Sequence, residues 1–172
     1  SGKAPRYYNS IYAIDGKGQI IGAADKVHLV PFGEYMPFAE VFESFGVSAV
    51  AMPGGFSAAR DHQILNALGK GLYPLVCYEA IFPHEINAAA DDAAALLNVT
   101  NDAWFGSTPG PYQHFQQARL RAVERGLPLI RAANNGISAV IDAKGQVVAG
   151  LAHDIPGFVD ATLPGRFTLG EV

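Results

Sequence analysis

Between Ala94 and Ala133 the hydrophobic period passes from strand to helix and back, and this restricts the chain to a layered α/β fold. Ala94–Thr100 reads as a buried strand. Pro111–Arg125 reads as a helix, with Phe115, Ala118, Ala122 and Val123 along one side, proline at its start and Gly126 as its stop. Pro128–Ala133 returns to strand. Around this unit, turn residues separate shorter strand-like runs. Tyr7–Ile14 and Gln19–Lys26 flank Asp15-Gly16-Lys17-Gly18, and His62–Leu68 and Leu72–Cys77 flank Gly69-Lys70-Gly71, giving two hairpins. Ile137–Asp142, Gln146–Leu151 and Gly157–Leu163 follow as strands, while Phe38–Phe45 and Pro83–Ala90 are read as short helices. Hairpins combined with alternating strands and helices predict an α/β protein with a mixed sheet.

Composition narrows the function. The chain has 172 residues, 49% hydrophobic and 16% charged, enough for one sizeable core and too short to suggest two. A formal charge of −4 argues against nucleic acid, which demands a basic face. No run of about 18 apolar residues predicts a membrane-spanning helix, and Ser1–Arg6 lacks the apolar segment of a signal peptide. The lone cysteine leaves the redox compartment open. His28, His62, His84, His114 and His153 are scattered without ligand spacing, so neither a metal nor a cofactor is expected.

Cys77 stands where the apolar run Leu72-Tyr73-Pro74-Leu75-Val76 gives way to Tyr78-Glu79. Read alone it fits two roles, an inert core thiol or a nucleophile at the mouth of a strand. A thiol attacks a carbonyl as the thiolate, which needs a base or a positive field nearby. The tetrahedral intermediate then needs donors aimed at its oxyanion. Lys26, at the junction of a strand and the loop Val27–Phe38, offers both a field and a donor, and the Tyr78 N–H offers a second donor. Glu34 and Glu79 offer carboxylates to orient the lysine or accept protons. Each also has a plain reading, as a solvated strand end, a surface loop carboxylate and a helix-flanking charge. Trp104, Phe105 and Tyr112 are read as packing residues, Asn101 and Asp102 as caps, and Arg121 with Glu124 as a helix-face pair.

Lys26 to Pro37, with Val30-Pro31-Phe32-Gly33-Glu34 at its centre, is followed in order by further motifs. These are Cys77-Tyr78-Glu79, Asn101-Asp102-Ala103-Trp104-Phe105-Gly106, Gly110-Pro111-Tyr112-Gln113-His114, Arg121-Ala122-Val123-Glu124 and Ala133-Asn134-Asn135-Gly136. Together they resemble the apolipoprotein N-acyltransferase family, in its nitrilase-like catalytic domain, from about Tyr7 to Val148. The resemblance implies an αββα sandwich, incomplete on its N-terminal side, with residues 1–172 forming one partial carbon-nitrogen hydrolase domain. It implies that Cys77 takes an acyl chain from a phospholipid donor as a thioester. The α-amino group of a diacylglyceryl lipoprotein then accepts it. By the same resemblance Lys26 stabilises the oxyanion, and Glu34, Tyr78 and Glu79 support the site.

The family's general-base glutamate belongs to a segment upstream of the hairpin that begins at Tyr7, and no residue of Ser1–Arg6 takes its place. The chain is therefore expected to be inactive alone. The resemblance also implies the bacterial inner membrane, with this domain on the periplasmic side. The loops Val27–Phe38 and Gly46–Arg60 carry many large apolar groups for breaker-rich segments. Phe32, Met36 and Met52 are accordingly expected to face lipid, unless these side chains fold back onto the core. Two other readings remain: a soluble nitrilase-type amidase using the same thioester, and a catalytically silent domain.

Overall fold

The computed structural model describes residues 5–37, 55–86 and 88–167. The expected helix over Phe38–Phe45, the first part of the Gly46–Arg60 loop and Met52 lie outside them. Two sheets form among the described residues. Strands β1 (Ser10–Ile14) and β2 (Ile20–Asp25) make an antiparallel hairpin. Strands β3 (Leu65–Ala67), β4 (Lys70–Val76), β5 (Ala95–Asn101), β6 (Leu129–Asn134), β7 (Ser138–Ile141) and β8 (Val147–Leu151) lie side by side in chain order. β4, β5 and β6 are mutually parallel, and the remaining neighbours are antiparallel. The hairpin packs against β3 and β4, where Gly22 lies on Leu65.

Parallel neighbours need a crossover, and the long one between β5 and β6 is helix α1 (Gly110–Arg125). Pro111 sits in its first turn, where a missing N–H costs nothing. Gly126 ends it at φ 61°, a left-handed position that glycine adopts without a Cβ clash. Phe115, Ala118 and Ala122 of α1 join Tyr73, Leu75, Leu96, Leu129 and Ile141 in the core. The buried stripe of α1 also carries His114 and Arg121. Val123, expected on that side, is exposed instead, because it stands one residue, about 100° of helical rotation, past Ala122.

Two expected elements differ. Pro83–Ala90 is not an α-helix: two 3₁₀ turns, Pro83–Glu85 and Ala88–Asp92, replace it. Ile86 breaks the path between them with φ −91° and ψ 89°, outside helical geometry. Gly157–Leu163 forms no strand. Beyond the edge strand β8 it is largely exposed, and strand patterning without a partner ladder does not hold a strand.

Three parallel strands point the same way, so their C-terminal ends deliver Cys77, Asp102 and Asn134 to one edge of the sheet. Crevices at such edges are where open α/β sheets bind ligands.

Candidate active site

Cys77 follows β4 directly and opens a 3₁₀ turn, Cys77–Ile81. Its φ is 53°, a left-handed conformation that a non-glycine residue holds only when its surroundings impose it. Two side chains fix its carbonyl: Asn98 donates from Nδ2 at 3.3 Å, and His114 Nε2 lies 3.1 Å away. The thiol is half-buried, so the plain reading of a sealed core cysteine does not describe it. A strained, partly open thiol at a strand end has the geometry of a nucleophile.

Lys26 is 1% exposed, which rules out a solvated strand end. Its ammonium donates to Glu34 Oε2 at 2.7 Å, and the same carboxylate accepts from Asn9 Nδ2 at 2.7 Å and from the Val30 N–H at 2.8 Å. Burial acts to raise the Glu34 pKa, but these bonds and the Lys26 charge outweigh it and hold the carboxyl below its ordinary range. The loop around Glu34 is thus folded about the lysine.

Glu79 joins that loop to the nucleophile turn. Its Oε1 accepts from the N–H groups of Val27 at 2.7 Å and His28 at 2.9 Å, while Oε2 accepts from the Val76 N–H at 2.6 Å. The side chain is fully buried, and that burial pushes its pKa up despite the three donors. One carboxylate therefore holds the backbone just after Lys26 against the backbone just before Cys77. Tyr78, half-buried, presents its ring edge-on to Phe82 at 4.8 Å. Phe32, at φ 62°, is 62% exposed on the same loop, and Met36 is half-buried.

A second set of residues was not anticipated as part of the site. Of the two expected caps, Asn101 does accept from the Ala103 N–H. Asp102 itself is buried and pairs with Arg131 at 2.7 Å and with His114 Nδ1 at 2.8 Å. Arg131 also donates to Asn98 Oδ1 and to the Ile137 carbonyl. Burial acts to raise the Asp102 pKa, yet His114 and Arg131 hold it low. Burial lowers that of Arg131, opposed by Asp102. His114 spans Asp102 Oδ1 and the Cys77 carbonyl, with Arg131 Nη2 3.4 Å from its Nδ1. The group lies beneath the nucleophile and restrains its backbone through the Cys77 carbonyl. Gly136 belongs to it by absence, since a Cβ there would collide with the Asp102 carboxylate.

Trp104, Phe105 and Tyr112 do not pack in the core. Trp104 is 85% exposed and Phe105 is also exposed, because the 3₁₀ turn Asp102–Phe105 projects beyond the end of β5, and Tyr112 is exposed on α1. The Arg121–Glu124 pair forms at 2.8 Å, but Arg121 is buried and also donates to the Ile81 carbonyl, tying α1 to the nucleophile turn. Histidines scattered in sequence also meet: His28, His62 and His84 surround Glu85.

The arrangement brings together a partly exposed thiol on a left-handed backbone, a buried ammonium paired with a carboxylate, and a buried charged network behind the thiol's strand. The chain is similar to apolipoprotein N-acyltransferases, being 61% identical over 169 residues to that of Sinorhizobium fredii and 64% over 170 residues to that of Rhizobium leguminosarum. These alignments take in 96% and 98% of this chain but 32% of each relative, so the chain spans about a third of the length of the curated relatives it matches. Among solved structures, a Helicobacter pylori carbon-nitrogen hydrolase superposes with a TM-score of 0.61 at 19% identity, covering 86% of this chain and 53% of that one. A Saccharomyces cerevisiae nitrilase-superfamily protein gives 0.58 at 21%, covering 85% and 49%. A variant amidase from Nesterenkonia sp., with the acetamide moiety of fluoroacetamide on its active-site cysteine, gives 0.57 at 25%, covering 84% and 51%. The fold is therefore nitrilase-like, as the ordered motifs implied. The sequence profile of the carbon-nitrogen hydrolase family matches residues 1–167, and the chain belongs to that family.

Proposed function

We propose that residues 1–172 form one partial nitrilase-like domain carrying the thioester chemistry of a phospholipid-dependent protein N-acyltransferase. Cys77 is the nucleophile. Its sulfur attacks the ester carbonyl of a phospholipid, and the lysophospholipid leaves as its alcohol. The α-amino group of a diacylglyceryl-cysteine then attacks the thioester, forming an amide and releasing the thiolate. Lys26 stabilises the oxyanion in both halves and favours the thiolate. Glu34 fixes the lysine, Glu79 couples its loop to the Cys77 turn, and Tyr78 supplies its N–H to the oxyanion. Phe32, Met36 and Met52 face acyl chains at a membrane surface, on the periplasmic side of the inner membrane. No helix among the described residues is long and apolar enough to cross a membrane, so in this reading the domain meets lipid through its loops.

The observation that carries this reading is the buried Lys26–Glu34 pair, joined through Glu79 to the Cys77 turn. A lysine that is nearly inaccessible, paired and tied to a strained cysteine has little purpose in a structural loop. The test is a chimaera in which these 172 residues replace the matching third of the Sinorhizobium fredii relative. Given phospholipid without acceptor, intact-mass analysis should show one acyl adduct, absent in Cys77→Ser. Adding a diacylglyceryl peptide should discharge it as N-acylated product. An adduct that forms elsewhere, or that water discharges as fast as the amine, would sink the proposal. The second of these results would favour the amidase reading, which the likeness to the Nesterenkonia enzyme supports.

A further inference from the structure

We infer that His28, His84 and Glu85 form a site for a divalent transition-metal ion, Zn²⁺ by its chemistry, with His62 holding the carboxylate in place. Three histidines far apart in sequence meet at one carboxylate of low exposure. His28 Nδ1 lies 2.6 Å and His84 Nε2 lies 3.6 Å from Glu85 Oε1. His62 Nε2 lies 2.9 Å from the other oxygen, Oε2. The two oxygens thus have different surroundings, one directed inward and one toward solvent.

The inward half is rigid. His62 is buried, its ring 5.2 Å from that of Tyr73, and the Tyr73 hydroxyl donates to the Glu85 carbonyl at 2.6 Å. Side chain and backbone of Glu85 are both held, as the partners of metal-ligating carboxylates usually arrange. The outward half is adaptable. His28 is braced by stacking on Phe82 at 4.3 Å, whereas His84 is mostly exposed, its ring 5.4 Å from that of Phe82.

One ligand atom from each of His28, His84 and Glu85 lies within 4.8 Å of the others. Donors around tetrahedral zinc stand about 3.3 Å apart, given bond lengths of about 2.0–2.1 Å. To close the shell the 2.6 Å His28–Glu85 contact would open by roughly 0.7 Å and the exposed imidazole of His84 would turn toward the pair. Two imidazoles and a carboxylate suit zinc, and three protein ligands leave a fourth position for water.

The location gives the site a consequence. His28 is two residues past Lys26 and its N–H is held by Glu79, whereas Glu85 follows the Cys77 turn. A bound ion would fasten the lysine loop to the segment behind the nucleophile.

The test is Zn²⁺ titration of the chelator-stripped protein, followed by calorimetry and by thermal unfolding. One Zn²⁺ per chain should bind and raise the melting temperature, as any ligand selective for the native state does. His84→Ala, at an exposed position, should weaken binding by at least about tenfold, the lower end of the loss seen when even an outer partner of a metal site is removed. His28→Gln with His84→Ala should abolish it, with circular dichroism confirming the fold. Cys77→Ala should bind Zn²⁺ like the parent. Absence of stoichiometric binding to the parent would overturn the proposal. So would undiminished binding by folded His84→Ala, or loss of binding in Cys77→Ala.

Discussion

Replacing Asp102 with alanine should be among the costliest single changes in this protein. Both Asp102 and Arg131 have side chains with 0% exposure and stand 2.7 Å apart. Their pairing repays desolvation only while both are present. Removing one partner of such a pair costs about 3–5 kcal/mol, because the surviving charge stays buried. Arg131 would keep Asn98 Oδ1 and the Ile137 carbonyl, neutral acceptors that do not balance its charge. At roughly 2–4 °C per kcal/mol for a chain of this size, the melting temperature should fall by about 6–20 °C. Removing both charges is different in kind. Asp102→Leu combined with Arg131→Met should recover most of the loss, since an apolar replacement of a buried pair is often neutral. Urea unfolding of the parent, both single variants and the double variant, compared at constant m-value, measures the coupling directly. A folded Asp102→Ala within about 1 kcal/mol of the parent, or a double variant less stable than either single one, would refute the reasoning.

Lys26→Met should reduce thioester formation in the chimaera by more than the factor of about 10²–10³ typical of one lost oxyanion donor, and near-normal acylation in a kinetic assay would remove Lys26 from the mechanism. The isolated 172-residue chain should give no N-acylated product from phospholipid and diacylglyceryl peptide, and turnover dependent on Glu34 would overturn that expectation. Stability should fall in acid. Glu34 and Asp102 have folded pKa values below their unfolded ones, so their contribution is complete above the ordinary carboxylate range near about 4 and is lost as pH falls through the folded values. Glu79 has the opposite sign, because burial raises its folded value and stability drops as pH rises toward it. In melting temperature against pH, Glu34→Gln should flatten the acid limb and Glu79→Gln should steepen it; the reverse order would contradict these signs. Vesicle co-sedimentation should detect lipid contact by the domain, and polar replacements at Phe32, Met36 and Met52 should weaken it, whereas indifference to vesicles would move weight to a soluble amidase.

What could be read from the sequence was whatever is encoded locally. Helix α1 announces itself through Pro111, Gly126 and a buried stripe three and four residues apart, and β4–β6 through short apolar runs. Lys26, Glu34, Cys77 and Glu79 stood out because each belongs to a compact, ordered motif. The network beneath the nucleophile was harder to see, because its members are joined only by the fold. Asp102 lies 12 positions from His114 and 29 from Arg131, and Asn98 lies 33 from Arg131. Two signals were nevertheless present: Asn98 and Arg131 are polar residues inside apolar strands, where an unpartnered amide or guanidinium would be too costly to bury. Strand register explains what they do. Leu75 pairs with Asn98 and Asn98 with Arg131, so one row runs across three parallel strands. That row lies two residues behind Cys77, and from it Asn98 reaches the carbonyls of both Leu75 and Cys77. Side chains at the strand ends present the chemistry to solvent, while the row behind them fixes the backbone that carries it. A polar residue one pleat inside a parallel sheet, next to a reactive strand end, is thus evidence for positioning even when no motif names it.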